Sequence, residues 1–247
     1  MTRPEVVAGR RTVLEALRAG LAVEVLVARG SRTTPALREV LAAAEDARVP
    51  LRELGRDELD ALAEEHHGVV ARVRPAPTLG ERDLATWSFA EDALVVVLDG
   101  IEDPQNLGAA ARSAEAAGAT MLVTRTRRAA DLTPAAIRAS AGALLHLPHA
   151  RVANIARALD RLKDAGFSVV GLDERATASV YEAEAPSGRV AIVLGSEGAG
   201  MARLTRERCD VLVSLPMRGR VGSLNASASL AAVLYAFVLP RHGPGGA

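Results

Sequence analysis

Residues 94–124 read LVVVLDGIEDPQNLGAAARSAEAAGATMLVT, and the fold is decided here. Leu94 to Leu98 is an apolar run without alternation, followed by a loop, an alanine-rich helical stretch from Leu107 to Ala117, and a second apolar run from Thr120 to Thr124. A strand with no polar side is covered on both faces, the setting of a parallel sheet flanked by helices. The pattern continues downstream. Ser168–Leu172, Val190–Leu194 and Val211–Leu215 are further strand candidates of the same kind. Helices are expected over Pro134–Ala141, Asn154–Ala165 and Asn225–Leu239, the last with Leu230, Val233, Leu234 and Phe237 on one stripe. Residues 93–240 are therefore expected to form an α/β domain on a parallel sheet.

Upstream, residues 1–74 alternate short helical and strand patterns, as a smaller α/β domain would. Thr12–Ala19 carries Val13, Leu14 and Leu17 at helical spacing and closes at Gly20. Val23–Ala28, Leu51–Leu54 and Val69–Val73 read as strands; helices are expected from Pro35, with Leu37, Val40, Leu41 and Ala44 on one face, and over Asp57–Glu65. Pro75–Asp92 shows no sustained period and is expected to be a linker, with Trp87 and Phe89 anchoring it to one domain. A base-stacking role for Trp87 is the weaker alternative, because a lone linker tryptophan ordinarily packs. Residues 241–247, RHGPGGA, are expected to be a flexible tail.

Composition removes several function classes. Lys+Arg and Asp+Glu are both 30 among 247 residues, so the formal net charge is +0 and a polybasic mode of nucleic-acid binding is excluded. Aromatic residues are 2%, too few for a surface of stacked bases. Lys163 is the only lysine. Genomic base composition explains that bias most simply, yet each arginine cluster still offers a planar fork for phosphate. Cys209 is the single cysteine, which excludes an intramolecular disulfide framework and fits a reducing compartment. No run reaches the ~20 apolar residues of a membrane span, and the N-terminus lacks a signal-peptide apolar region, so a cytoplasmic protein is expected. His66, His67, His146 and His149 form no ligand pattern with cysteine and are expected at the surface or in packing; no metal is expected.

Three loops after strands stand out, because ligands of open parallel sheets sit beyond the strands' carboxyl ends. In the first, Asp99–Ala119, Asn106 stands where a helix N-cap is expected, and capping alone would account for it. Arg112 interrupts a face of alanines. The second, Val193–Met201, places Glu197 among Gly195, Gly198 and Gly200. It matches neither GxGxxG nor GxxxxGK[ST], so neither a dinucleotide fingerprint nor a P-loop is present. The third, Ser214–Ala236, holds Ser223, Asn225 and Ser227 near a helix N-terminus, more polar groups than one cap requires.

Taken together the three segments resemble the SpoU/TrmH family of RNA ribose 2′-O-methyltransferases, within the SPOUT superfamily. The family's first motif, Asn-x-Gly-Ala…Arg, stands as Asn106-Leu107-Gly108-Ala109 with Arg112; its second, Gly-x-Glu-x-x-Gly, as Gly195 to Gly200; its third as Leu215-Pro216-Met217 and Ser223-Leu224-Asn225-Ala226-Ser227. The first domain looks like the ribosomal protein L30e-like substrate-binding domain found in many bacterial members. The resemblance implies a deep trefoil knot, S-adenosylmethionine as methyl donor, a homodimer whose sites borrow from both subunits, and RNA as substrate. Within the family the chain is most similar to enzymes that methylate a guanosine ribose of 23S rRNA, with antibiotic-resistance rRNA methylases and tRNA ribose methylases as relatives.

The resemblance assigns catalytic work to Arg112, Asn106, Glu197, Ser223 and Asn225. It assigns donor binding to Gly195, Gly200, Leu215, Met217 and Leu224. Arg112 would activate the 2′-hydroxyl either as a base or by holding phosphate and steadying the developing alkoxide; a guanidinium pKa above ~12 favours the second role. Gly222 departs from the pattern, since some relatives carry serine there. Two other readings remain: a non-catalytic RNA-binding assembly factor on the same fold, and a nicotinamide oxidoreductase, which lacks its glycine fingerprint here.

Overall fold

The computed structural model describes residues 5–220 and 222–239; the expected tail, 241–247, and Pro240 at the end of the expected second domain lie outside them. The N-terminal unit comprises β1 (Glu5–Ala8), α1 (Arg10–Arg18), β2 (Ala22–Ala28), α2 (Pro35–Asp46), β3 (Leu51–Leu54), α3 (Arg56–Asp60) and β4 (Val69–Val73). Its four strands lie in the order β1-β4-β2-β3. β4 runs antiparallel to both β1 and β2, while β2 and β3 are parallel. Strand β1 was not expected; it is four residues long and lies against a helix that begins two residues later. The helix expected to reach Glu65 stops at Asp60, and further on Glu65 and His67 take left-handed backbone conformations (φ 52° and 49°), which no helix could include.

The segment expected to be a linker is partly structured. It holds β5 (Thr78–Leu79) and α4 (Glu81–Thr86). β5 extends the large sheet by pairing with β8 (His149–Val152). Leu84 and Phe89 are buried, and Phe89 meets Phe167 edge to face at 4.8 Å. Trp87 is half-exposed. Both elements are too short to show a period, so only their docking orders them.

The remaining elements are β6 (Leu94–Asp99), α5 (Pro104–Ala116), β7 (Met121–Arg125), α6 (Pro134–Ala139), β8, α7 (Ile155–Asp164), β9 (Ser168–Leu172), β10 (Val190–Gly195), α8 (Arg203–Glu207), β11 (Val211–Val213) and α9 (Ala226–Val233). A π-helical turn, Leu234–Val238, continues α9. The seven strands lie in the order β11-β9-β10-β6-β7-β8-β5, and every pairing is parallel. The unalternating runs have the expected cause. Val96, Leu98, Leu122 and Ile192 face α5 and α9, whereas Val95, Val97, Met121 and Val193 face α7 on the other side. β11 stops short of the expected Leu215, because Ser214 turns to pair with Ser179.

The alanines of α5 follow from close packing. A β-carbon on Gly108 would lie 2.5 Å from the Ala136 carbonyl oxygen and 2.5 Å from the Ala139 side chain, so α5 and α6 nearly touch. The two units also interlock. One apolar cluster runs from Val13 and Leu17 through to Leu144 and Leu145, and Glu15 Oε2 accepts from His146 Nε2 at 2.9 Å. No helix among the described residues is long and apolar enough to cross a membrane.

β8 was not expected, since HARV is short and mixes polar with apolar residues. Its His149 is fully buried, with Nε2 hydrogen-bonded to Thr124 Oγ1 at 2.7 Å. Burial, with help from the Arg151 charge, pushes this imidazole down to about 4. The folded state thus keeps it neutral at pH values where the unfolded chain, titrating near the ordinary 6.5, already takes up a proton. Its contribution is complete above pH 6.5 and is lost as pH falls towards 4, at about 1.4 kcal/mol per pH unit. We expect the stability advantage of the wild type over His149→Gln to shrink by about 2 kcal/mol between pH 7 and pH 5. Urea titrations at the two pH values measure it, and an unchanged difference would refute it.

Candidate active site

The site forms where β6, β9, β10 and β11 end. β10 closes on Gly195, and the next residues double back: Ser196 N–H donates to the Gly200 carbonyl (3.1 Å) and Gly200 N–H to the Ser196 carbonyl (2.9 Å). Gly198 and Gly200 sit at φ 79° and 68°, which side chains disfavour. The turn lies against Gly195 so closely that a β-carbon there would fall 2.1 Å from the Gly200 carbonyl carbon and 2.2 Å from the Met201 nitrogen. Its far end is pinned by Asp99, whose buried carboxylate accepts from Ala202 N–H (2.9 Å) and pairs with Arg125.

Glu197 joins the three segments singled out from the sequence. Its Oε1 accepts from Asn106 Nδ2 (3.2 Å), Asn225 Nδ2 (2.8 Å) and the Ala226 N–H (3.2 Å). Asn225 Nδ2 donates also to Asn106 Oδ1 (2.8 Å), and Asn225 Oδ1 accepts from Ser227 N–H (3.0 Å) and Ser227 Oγ (2.6 Å). Asn225 is therefore the N-cap of α9, and the Glu197 carboxylate lies at the same helix terminus, where negative charge is favoured. Asn106 does not cap its helix. Pro104 starts α5, and Asp103 caps it by accepting from Gln105 N–H at 3.0 Å. This leaves the Asn106 amide free for Glu197 and Asn225.

These groups border a cavity of about 440 Å³. Gly195, Gly200, Leu215, Met217 and Leu224 all line it, as do Glu197, Ser223 and Asn225. Asn106 stands behind Glu197 rather than on the wall. Arg112 is not brought to the cavity: it lies on the exposed side of α5, with no hydrogen bond or ion pair to another described residue. Asp173, Glu174, Arg175 and Arg206 also line the cavity and were not expected there. Asp173 is nearly buried and its Oδ2 pairs with Arg206 Nε at 2.8 Å. The signal was available, since Asp173 directly follows β9 and the rule of carboxyl ends applies to that strand too.

The chemistry of the wall is one of holding and orienting. No histidine lines it. Cys209, nearby beneath Gly171, is no nucleophile, because burial and then Asp210 push its thiol up to about 12. A carboxylate oxygen engaged by three donors, as in Glu197, fixes loops in place. Among the described residues no group of three His, Cys, Asp or Glu side chains could hold a metal ion.

Comparison with known proteins agrees with this geometry. Residues 93–235 match the SpoU rRNA Methylase family, and residues 6–79 match the domain described as RNA 2′-O ribose methyltransferase substrate binding. The chain is 41% identical over 222 residues to the 23S rRNA (guanosine-2′-O-)-methyltransferase RlmB of Photobacterium profundum, covering 89% of this chain and 90% of that one. It is 35% identical over 243 residues to a putative TrmH family tRNA/rRNA methyltransferase of Staphylococcus aureus, covering 97% and 98%. A crystal structure of an RNA 2′-O ribose methyltransferase superposes with TM-score 0.81 at 33% identity, over 97% of this chain and 89% of that one. The SpoU methyltransferase AviRb of Streptomyces viridochromogenes, in complex with the cofactor AdoMet, superposes with TM-score 0.78 at 30% identity, over 97% and 91%. With both of its parts matched and relatives this similar along nearly the whole length, the chain belongs to the SpoU rRNA methylase family, the enzymes that methylate RNA.

Proposed function

We propose that this enzyme transfers a methyl group from S-adenosylmethionine to the 2′-oxygen of a guanosine ribose in 23S rRNA. The observation that carries it is the Asn106–Glu197–Asn225 clamp, which draws three separate loops around one cavity at the strand ends. The cavity fits the donor. Its volume suits a ligand of that size, and apolar Leu215, Met217 and Leu224 share its wall with the backbone of Gly195 and Gly200. S-adenosylmethionine, when bound, supplies a methyl group already activated by a sulfonium, so the protein must chiefly align and desolvate. Gly195, Gly200, Leu215, Met217 and Leu224 hold the donor; Glu197, Asn106 and Asn225 keep the loops closed, Asn225 fixing the start of α9 from which the ribose is approached; Ser223 presents its hydroxyl to the ribose.

Arg112 completes the site from a second subunit. Its side chain is exposed and lies outside the cavity of its own chain, and Tyr235, in the π-helical turn that continues α9, is exposed as an interface residue would be. The enzyme is thus a homodimer in which Arg112 serves the partner's cavity, holding phosphate and stabilising the alkoxide. A trefoil knot is part of the same reading: residues 178–180 pair with Ser214 outside β11, while the chain after Ser214 returns inward so that α9 packs on α5. A cytoplasmic place of work fits ribosomal RNA as substrate and a free cysteine.

The test is methyl transfer from labelled S-adenosylmethionine to unmodified 23S rRNA and, separately, to bulk tRNA. Label is expected in 23S rRNA. Label in tRNA alone would overturn the substrate, and donor binding without transfer to either would favour an assembly factor.

A further inference from the structure

Asp173 stands at the centre of the strand ends that surround the donor cavity, and the function proposed above gives it no task. β9 lies between β10 and β11, with Leu172 level with Leu194 on one side and with Val213 on the other. One residue further along, Asp173 is flanked by Gly195 and Ser214, and all three line the cavity. The position is fixed by the backbone. Asp173 N–H donates to the Val213 carbonyl (3.0 Å), and the Asp173 carbonyl accepts from Ala176 N–H (3.0 Å). Two residues earlier, a β-carbon on Gly171 would lie 2.7 Å from Cys209 Sγ and 2.9 Å from Met201 Cε, so the strand is packed tightly there.

The Asp173 carboxylate is only half used. Oδ1 accepts from Arg175 N–H at 2.9 Å, and Oδ2 pairs with Arg206 Nε at 2.8 Å. A carboxylate has about four acceptor sites, so each oxygen keeps one. The side chain is 7% exposed, which leaves those sites turned from bulk water and towards the cavity that Asp173 lines. The other two carboxylates of the wall differ. Glu174 is exposed, and Glu197 is exposed with Oε1 already engaged by three donors. A charged acceptor shielded in this way binds hydroxyl groups more strongly than one in water.

We propose that Asp173 reads the ribose of the methyl donor, its two carboxylate oxygens accepting from the donor's own 2′- and 3′-hydroxyls; the proposal rests on the donor reading above. Two neighbouring hydroxyls match the two oxygens of one carboxylate. An acid beyond a strand end serves a ribose hydroxyl in the same way in dinucleotide-binding parallel sheets. Arg206, carried by α8, is a positioning residue that holds the carboxylate in place. Leu215, Met217 and Leu224 are apolar and offer the rest of the ligand contact rather than polar anchorage.

Titration calorimetry with S-adenosylhomocysteine and its 2′,3′-dideoxy analogue tests this in the wild type, Asp173→Ala and Asp173→Asn, with melting curves as the check on folding. The wild type is expected to bind the dideoxy analogue at least about thirtyfold more weakly, because the buried acceptors then lose both partners. Asp173→Ala should bind the full ligand more weakly by a similar factor and distinguish the two ligands by no more than about twofold. A merely structural loss would weaken both ligands alike and leave their ratio untouched. Asp173→Asn keeps the shape and one acceptor oxygen, so its ratio should fall below about tenfold; it decides the matter if the alanine variant does not fold. A wild type that binds both ligands within threefold, or a folded variant that keeps the wild-type ratio, would overturn the proposal and leave the donor reading intact. A wild type that binds neither ligand would overturn the donor reading as well.

Discussion

Gly195→Ala is expected to abolish donor binding while leaving most of the fold intact. The added β-carbon would lie 2.1 Å from the Gly200 carbonyl carbon, 2.2 Å from the Met201 nitrogen and 2.5 Å from the Gly200 oxygen. All three are backbone atoms, so no side chain can swing aside. The turn cannot retreat freely either, because Met201 is buried beneath it and Ala202 N–H is tied to Asp99. What must move is the loop that carries Glu197, and with it the bonds to Asn106 and Asn225. Overpacking of this kind costs about 1–3 kcal/mol of stability. The larger effect falls on the ligand: titration calorimetry should show S-adenosylmethionine affinity reduced at least about 100-fold, equivalent to about 2.7 kcal/mol. Affinity within threefold of wild type would mean that the donor sits elsewhere.

The second large effect concerns Arg112. Its side chain is exposed and makes no bond within the described chain, so Arg112→Ala should melt normally and bind the donor normally. Loss of a cation at developing oxyanion charge nevertheless costs about 10²–10³ in kcat. Arg112→Lys should recover only part of that loss, since an ammonium lacks the bidentate fork. A lysine variant of full activity would refute the fork-geometry role. Mixing separates the two possible origins of the arginine. Random dimers of Arg112→Ala with Gly195→Ala are half mixed, and a mixed dimer has one intact site if Arg112 acts across the interface. About a quarter of wild-type activity is then expected from two nearly inactive parents. No recovery, in a mixture shown to exchange subunits, would place Arg112 in the site of its own chain.

Much of the fold could be read from strands that are apolar on both sides. Val95, Val96 and Val97 are all fully buried, as an unalternating run requires, and the parallel sheet followed. What escaped were the elements at its edges. β5, α4 and β8 have two, six and four residues, and each is ordered by what it docks against rather than by its own period. The cavity was legible from three motifs standing in order, but their geometry was not. Asn106 had the look of a cap, and only Asp103, three residues earlier, takes that role and leaves the amide for Glu197. The alanines that Arg112 interrupts serve the contacts of α5 with α6 and α9, and the arginine itself faces outward, which the sequence pattern alone did not show.

The central claim is that the acceptor is a ribose hydroxyl, and the bond formed can be read directly. Alkali cleaves RNA through attack of the free 2′-oxygen on the adjacent phosphorus, so a methylated ribose leaves one linkage uncut. The measurement is partial alkaline hydrolysis of 23S rRNA after reaction with the enzyme and S-adenosylmethionine. A single new resistant linkage, 3′ to one guanosine and absent with Gly195→Ala, is the predicted result. Methyl label recovered on a base, with every linkage still cleaved, would contradict it.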